Sequence, residues 1–203
     1  SVSVADGSIR QLTTREGQDG NPVPSPDGRL IAYQGQDFNE DTYRENGLYV
    51  MNADGSRPRL IADEMGRGLG NVTWARDGSG VYFNASMRGT SNLWFAPLRG
   101  EPRQVTQGNH MLNVSSIDDA GNAVGTRSSY HEPGDLIAFN VNRPGDIEQL
   151  TEVNADVLTG VTLGDVEEIW YESLDDLDIQ GWIIKPPNFD PSRKYPLILA
   201  IHG

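Results

Sequence analysis

Chemistry in this chain has few residues to draw on. It contains three histidines, His110, His131 and His202, and no cysteine. Thiolate catalysis, disulfides and thiolate metal sites are therefore excluded. No histidine has a second one four residues on, so a helical zinc site is absent. No segment reads G-x-S-x-G, the strained turn that exposes a nucleophilic serine. The nearest is DGSG at residues 77–80, which lacks the leading glycine. Gly66, Gly68 and Gly70 spell G-x-G-x-G, but no strand leads in and no helix follows, so a dinucleotide loop is rejected. Asp176, Asp178 and Gly181 have the spacing of a calcium loop, yet Pro187 stands where the bidentate glutamate should be. A hairpin turn explains them better. The sequons at Asn71, Asn84 and Asn113 are short enough to arise by chance. His131, in YHEP, reads as a loop histidine between strands.

His202 and Gly203 have a more telling setting. They follow LILAI, residues 197–201, a run apolar on both faces that suits a strand buried on two sides. The carboxyl ends of such strands are where α/β sheets place their sites. A His-Gly-Gly loop there offers backbone N–H groups to a developing oxyanion. Ahead of the run lies a strand with Ile179, Trp182, Ile183 and Ile184. Pro186 and Pro187 end it, since proline has no ladder donor. Residues 188–194 are polar, hold Pro191 and read as a loop. Residues 166–171 form an alternating strand, and 174–178 a turn that folds the next strand back as a hairpin. A central strand without following helix or neighbours is not a finished domain, so the expectation is a fragment cut inside an α/β sheet.

Upstream, the chain repeats itself. PSPDGRLIAYQG (24–35), TWARDGSGVYFNAS (73–86) and the worn SSIDDAGNAVGTRSS (115–129) each give a strand, a Gly-centred turn and a second strand. Gly28, Gly78 and Gly121 align, at steps of 50 and 43. After each copy comes another pair of strands: NGLYVMNADGSRPRLIA from 46, SNLWFAPLRGEPRQVTQ from 91 and GDLIAFNVNRPGDIEQLTE from 134. Leu48, Leu93 and Leu136 align, as do Leu60, Val105 and Leu150. Four short strands per ~45 residues is the pattern of β-propeller blades. Three blades are expected between about residues 20 and 151, preceded by the outer part of a fourth in SVSVADGSIRQLTT. A closed propeller needs roughly four to eight blades, so further blades are expected from elsewhere. Trp74 and Trp94 fall within repeat strands and read as packing between blades. The first blade carries a charged insertion, DFNEDTYRE (37–45), with Glu40, Asp41, Arg44 and Glu45. It reads as a solvated loop, or more sharply as a carboxylate-bearing loop reaching a substrate amino group.

Composition narrows the partners. The formal charge is −13 and the pI near 4.5, with no basic patch to neutralise phosphates. Nucleic acid and anionic membrane surfaces are thereby disfavoured. No apolar run reaches the about 18 residues that span a bilayer. The compartment stays open between cytoplasmic and periplasmic or secreted.

Taken together, SPDGRLIAY, the RQLT and EQLT blade ends, EEIWYES and IQGWIIKPPNFDPSRKYPLILAIHG resemble the prolyl oligopeptidase family of serine peptidases. The likeness is to its acylaminoacyl-peptidase and dipeptidyl-aminopeptidase-like branch, and it runs the length of the chain. It implies a mainly β fold: C-terminal propeller blades over residues 1–157, then the first strands of a truncated α/β-hydrolase domain over 158–203. His202 and Gly203 would begin the oxyanion loop. The family's serine, aspartate and histidine lie further on, so no catalytic residue is assigned in this chain, and no metal or cofactor. The implied activity is hydrolysis of short acyl-aminoacyl, dipeptidyl or oligopeptide substrates by acyl transfer, the propeller gating access; this chain alone would be inactive. Its partners would be a short peptide and the remainder of the same polypeptide, with a homo-oligomer left open and no nucleic acid or membrane. The alternatives are a non-catalytic binding propeller and a family esterase or amidase. Asp175 and Asp176 depart from the pattern, where relatives often carry a glycine, and put the hairpin's turn type in doubt.

Overall fold

A computed structural model describes residues 1–40, 45–63, 65 and 67–201. The chain divides into two compact units, Ser1–Val153 and Asn154–Gly203. The first unit holds three antiparallel four-stranded meanders, as the repeat predicts. Blade 1 is β1 (Gly17–Pro24), β2 (Leu30–Asp37), β3 (Gly47–Asn52) and β4 (Arg59–Ala62). Blade 2 is β5 (Arg67–Trp74), β6 (Gly80–Met87), β7 (Thr90–Pro97) and β8 (Arg103–Gln104). Blade 3 is β9 (Met111–Ile117), β10 (Asn122–Ser128), β11 (Asp135–Asn140) and β12 (Arg143–Gln149). A single parallel bridge, Ser91 to Met111, joins blades 2 and 3 into one sheet.

The turns after the first strand of each blade explain why a glycine recurs in every copy. Gly28 and Gly78 both sit at φ +69, a left-handed backbone that glycine adopts without a Cβ penalty. Their N–H groups donate to Ser25 and Ala75 carbonyls at 2.9 Å. The carboxylates of Asp27 and Asp77 accept from the N–H groups of Arg29 and Ser79, at 3.1 and 2.9 Å. In the worn third copy Ala120 replaces the aspartate, and Asp118 takes over, accepting from Ala120 N–H and Asn122 N–H at 2.9 and 2.8 Å. Side-chain hydrogen bonds from Ser25, Ser79 and Asn122 first, and then these backbone bonds, hold the carboxyls of Asp27, Asp77 and Asp118 below the usual aspartate range. The third turn is also one residue shorter: Ala75 N–H reaches Gly80 O, whereas Asp118 N–H reaches Asn122 O. The N-terminal stretch repeats an outer turn. Asp6 accepts from Ser8 N–H and Oγ as Asp54 does from Ser56, 48 residues on.

Two apolar cores lie between the blades, and strand alternation sorts side chains between them. On β6, Val81, Phe83 and Ala85 turn to blade 1, while Tyr82 turns to blade 3. On β7, Trp94 and Ala96 turn to blade 1, Leu93 and Phe95 to blade 3. The Tyr82 and Phe95 rings meet at 4.8 Å. Trp74 packs into the first core with Ala32, Leu48 and Val50, and its Nε1 donates to Val23 O at 2.9 Å. Both tryptophans thus pack between blades, as expected. Each large side chain so buried contributes about 1.5–3 kcal/mol. Two aligned positions are not buried alike. Leu60 is 43% exposed and lies beside Tyr49, while Ile61 and Ala62 enter the core. The cause is a register shift between Leu48 and Tyr49 that moves the inward position along β4. Leu136, the repeat equivalent of the fully buried Leu93, is 51% exposed on the far face of blade 3.

In the second unit a short helix, α1 (Ala155–Leu158), precedes the expected hairpin, β13 (Val166–Glu172) and β14 (Asp178–Ile184). Its register runs unbroken from Val166 opposite Ile184 to Glu172 opposite Asp178. Asp176 stands at φ +58, so the turn demands the left-handed region; aspartate tolerates it, which accounts for the missing glycine. The strand expected over residues 197–201 is not formed. No ladder partner is present for it among the described residues, and Leu197, Ile198, Leu199 and Ile201 are 75–92% exposed. Backbone pairing makes a strand, and an apolar sequence without it stays irregular. The loop before it is ordered by Tyr195, whose hydroxyl accepts from Asp190 N–H at 3.1 Å and whose ring lies 5.1 Å from Phe189.

Candidate functional site

Side chains that could engage a ligand gather on the first strand of each blade, the one paired on one side of the meander. β1 and β5 each carry Gly-Asn fifty residues apart, Gly20 with Asn21 and Gly70 with Asn71. Both pairs sit at bulges in their ladders. Asn21 and Asn71 take left-handed φ of 51° and 46°, which asparagine tolerates better than other side chains. The bulge re-aims the amide. Asn21 Nδ2 donates to Gln34 Oε1 at 3.3 Å. Asn71 Nδ2 crosses to blade 3, donating to Asn113 Oδ1 at 3.0 Å and Val114 O at 2.9 Å. Asn84, buried at 4% exposure, donates to the same two acceptors at 2.7 and 3.0 Å and accepts from Val114 N–H at 3.0 Å. Three asparagines, all in sequons set aside as chance, thus form one clasp across the blade 2–blade 3 seam. The Gly-Asn repeat at the blade step marks Asn71, but nothing in the spacing points to Asn84 or Asn113 as its partners.

Beside the blade 1 amides is a polar cavity of about 430 Å³ lined by Gln18, Asp19, Asn21, Gln34 and Asn46. Asp19 pairs with Arg15, Nε to Oδ1 at 3.0 Å, and the guanidinium lies 4.1 Å from the Tyr49 ring centre. Tyr33 stacks on Tyr49 at 5.4 Å, and burial, helped by Asp19, pushes its hydroxyl's pKa up. Gly35 leaves the space that Arg15 and Asp19 occupy; a Cβ there would collide with both.

The histidines divide. His110 belongs to the seam: its Nε2 lies 3.1 Å from Asn92 Oδ1, which also accepts from Thr106 Oγ1 at 3.0 Å. Burial first, then the nearby Arg127 charge, lowers its pKa, with Glu132 opposing. Arg127 and Glu132 form a two-bond pair at 3.0 and 2.9 Å. His131 is exposed in its loop, its N–H donating to Ser129 Oγ at 3.3 Å. His202 and Gly203, the expected start of an oxyanion loop, lie outside the described residues, as do Asp41 and Arg44 of the charged insertion. Glu40 and Glu45 are exposed. Asp176 belongs to the hairpin turn, and among the described residues no cluster of three His, Cys, Asp or Glu could hold a metal. What the amides offer is recognition: neutral donors and acceptors in fixed positions, suited to hydrogen-bonding another polar chain.

Three propeller blades bearing such amides, and a separate β-hairpin unit, define a propeller-containing protein. No family model matches the sequence. The chain is 30% identical over 191 residues to dipeptidyl-peptidase 5 of Porphyromonas gingivalis, covering 92% of this chain and 27% of that protein. Its fold matches the Pyrococcus horikoshii acylaminoacyl peptidase with a TM-score of 0.67 at 22% identity, over 94% of this chain and 28% of that one. It also matches an acylaminoacyl peptidase in complex with Z-Gly-Gly-Phe-chloromethyl ketone, with a TM-score of 0.70 at 21% identity, over 94% and 28%. These relatives bear out the resemblance to prolyl oligopeptidase-family peptidases read from the sequence. The chain spans about a quarter of the length of the relatives it matches.

Proposed function

We propose that this chain supplies propeller blades and the lead-in to the hydrolase domain of a serine-type peptidase acting on short peptides. The observation that carries the proposal is the 30% identity to a dipeptidyl-peptidase 5 across 92% of the chain, through both compact units. In this reading residues 1–157 are blades that restrict access, and 158–203 open the hydrolase domain. His202 and Gly203 begin a loop whose N–H groups stabilise the tetrahedral oxyanion, while serine attack and histidine base catalysis come from residues outside this chain. No described side chain here is asked to do covalent chemistry.

The test is hydrolysis of dipeptidyl and acyl-aminoacyl chromogenic substrates by the 203-residue chain and by the product of the uninterrupted reading frame that contains it. The proposal expects none from the chain alone, and turnover blocked by a serine-directed inhibitor from the frame product. Inhibitor-sensitive turnover by the pure chain, or a frame product that neither turns over nor labels with a fluorophosphonate, overturns it.

A further inference from the structure

We propose that Asn71 and Asn113 together dock the main chain of an extended peptide at the blade 2–blade 3 seam; this rests on the peptidase reading above and adds a recognition point to it. Each amide is held by one half and offers the other. Asn71 gives both its outgoing bonds through Nδ2, and its Oδ1 has no partner among the described residues. Asn113 Oδ1 accepts from both Asn71 and Asn84, and its Nδ2 has no partner among the described residues. Both residues are exposed, whereas Asn84 behind them is buried. The seam thus presents one free acceptor and one free donor. These complement the N–H and C=O of a peptide, whose affinity in such main-chain docking comes from the backbone.

Rigidity strengthens the assignment. The amides are fixed by their inward bonds, so binding loses little side-chain entropy. Val114 O, the other shared acceptor, ties the clasp to the β9 backbone. Neither group is charged, so the point reads the peptide main chain and tolerates any side chain. In blade 1 the equivalent Asn21 bonds Gln34 of its own blade instead, and both line the 430 Å³ cavity.

The probe is N-acetyl-Gly-Gly-Phe-amide, blocked at both ends so that terminal charges play no part. It is titrated into the nitrogen-15-labelled chain while the Asn71 side-chain NH2 and the residue 113 backbone amide resonances are followed. A saturable shift is expected. Asn113→Asp keeps an oxygen for Asn71 and Asn84 but replaces the free donor, and should weaken binding about tenfold, the loss expected from one hydrogen bond to a rigid partner. A probe with sarcosine at the second position lacks one N–H and should weaken binding by a similar factor without any change to the protein. No saturable shift, unchanged affinity with the N-methylated probe, or equal binding of maltotriose overturns the proposal. The readout is binding without turnover, so its failure leaves the peptidase reading intact, and loss of that reading leaves this measurement interpretable.

Discussion

Replacing Asn84 tests whether a side-chain amide serves as a strand partner between blades. Its amide runs alongside Val114, accepting that residue's N–H and donating to its carbonyl, both at 3.0 Å. In Asn84→Ala, Val114 O and Asn113 Oδ1 keep their bonds from Asn71. What is orphaned is the N–H of Val114, a residue buried in the second core. An unsatisfied buried donor costs about 1–3 kcal/mol, and that is the expected loss of unfolding free energy. Asn84→Leu fills the space but still leaves the donor orphaned, so it should fall in the same range. Asn84→Asp keeps the acceptor but turns a carboxylate toward two oxygens in a buried setting. That raises its folded-state pKa above the unfolded value of about 3.9. The added penalty is therefore absent below the unfolded pKa and grows as pH rises through the folded one. The aspartate variant should be the least stable of the three at about pH 7 and recover toward the alanine variant near pH 4. Urea unfolding followed by tryptophan fluorescence gives the energies, and hydrogen exchange at the Val114 amide gives the local effect. An alanine variant within about 0.5 kcal/mol of the parent chain, the ordinary surface range, with Val114 protection unchanged, refutes the reasoning.

Gly78→Val places a β-branched residue at φ +69, where its Cβ would meet no atom within 4 Å. The loss should thus be backbone strain alone, about 1–3 kcal/mol by thermal or urea unfolding, and an unchanged midpoint would contradict the turn. His110 has a folded pKa lowered by burial and by Arg127. Its stabilising effect is full above the unfolded value of about 6.5 and falls away as pH drops through the window between the two values; His110→Gln should flatten that part of the stability–pH curve, and a superimposable curve would argue against it. In the isolated chain, amides of residues 197–201 should exchange with solvent nearly unprotected, since those side chains are exposed and no ladder forms. Protection there approaching that of β6 would mean that the strand does form.

Local rules reached far along this chain. Asp27 with Gly28, and Asp77 with Gly78, declare their turns because a left-handed backbone favours glycine, which has no Cβ to strain. Period-two alternation between such turns makes four-stranded meanders, and their recurrence makes blades. Tryptophan within a repeat strand favours cover, and Trp74 finds it in the neighbouring blade. Tertiary structure decided the rest, because it concerns what lies opposite a residue. The register shift that exposes Leu60 and buries Ile61 depends on how β4 meets β3. The clasp of Asn71, Asn84 and Asn113 joins positions up to 42 residues apart, and no spacing rule announces that the first two amides will share the oxygen of the third and the Val114 carbonyl. Residues 197–201 show the limit most plainly: their composition is that of a buried strand, yet a strand is a pairing, and with no partner beside them among the described residues the same residues stay irregular and exposed.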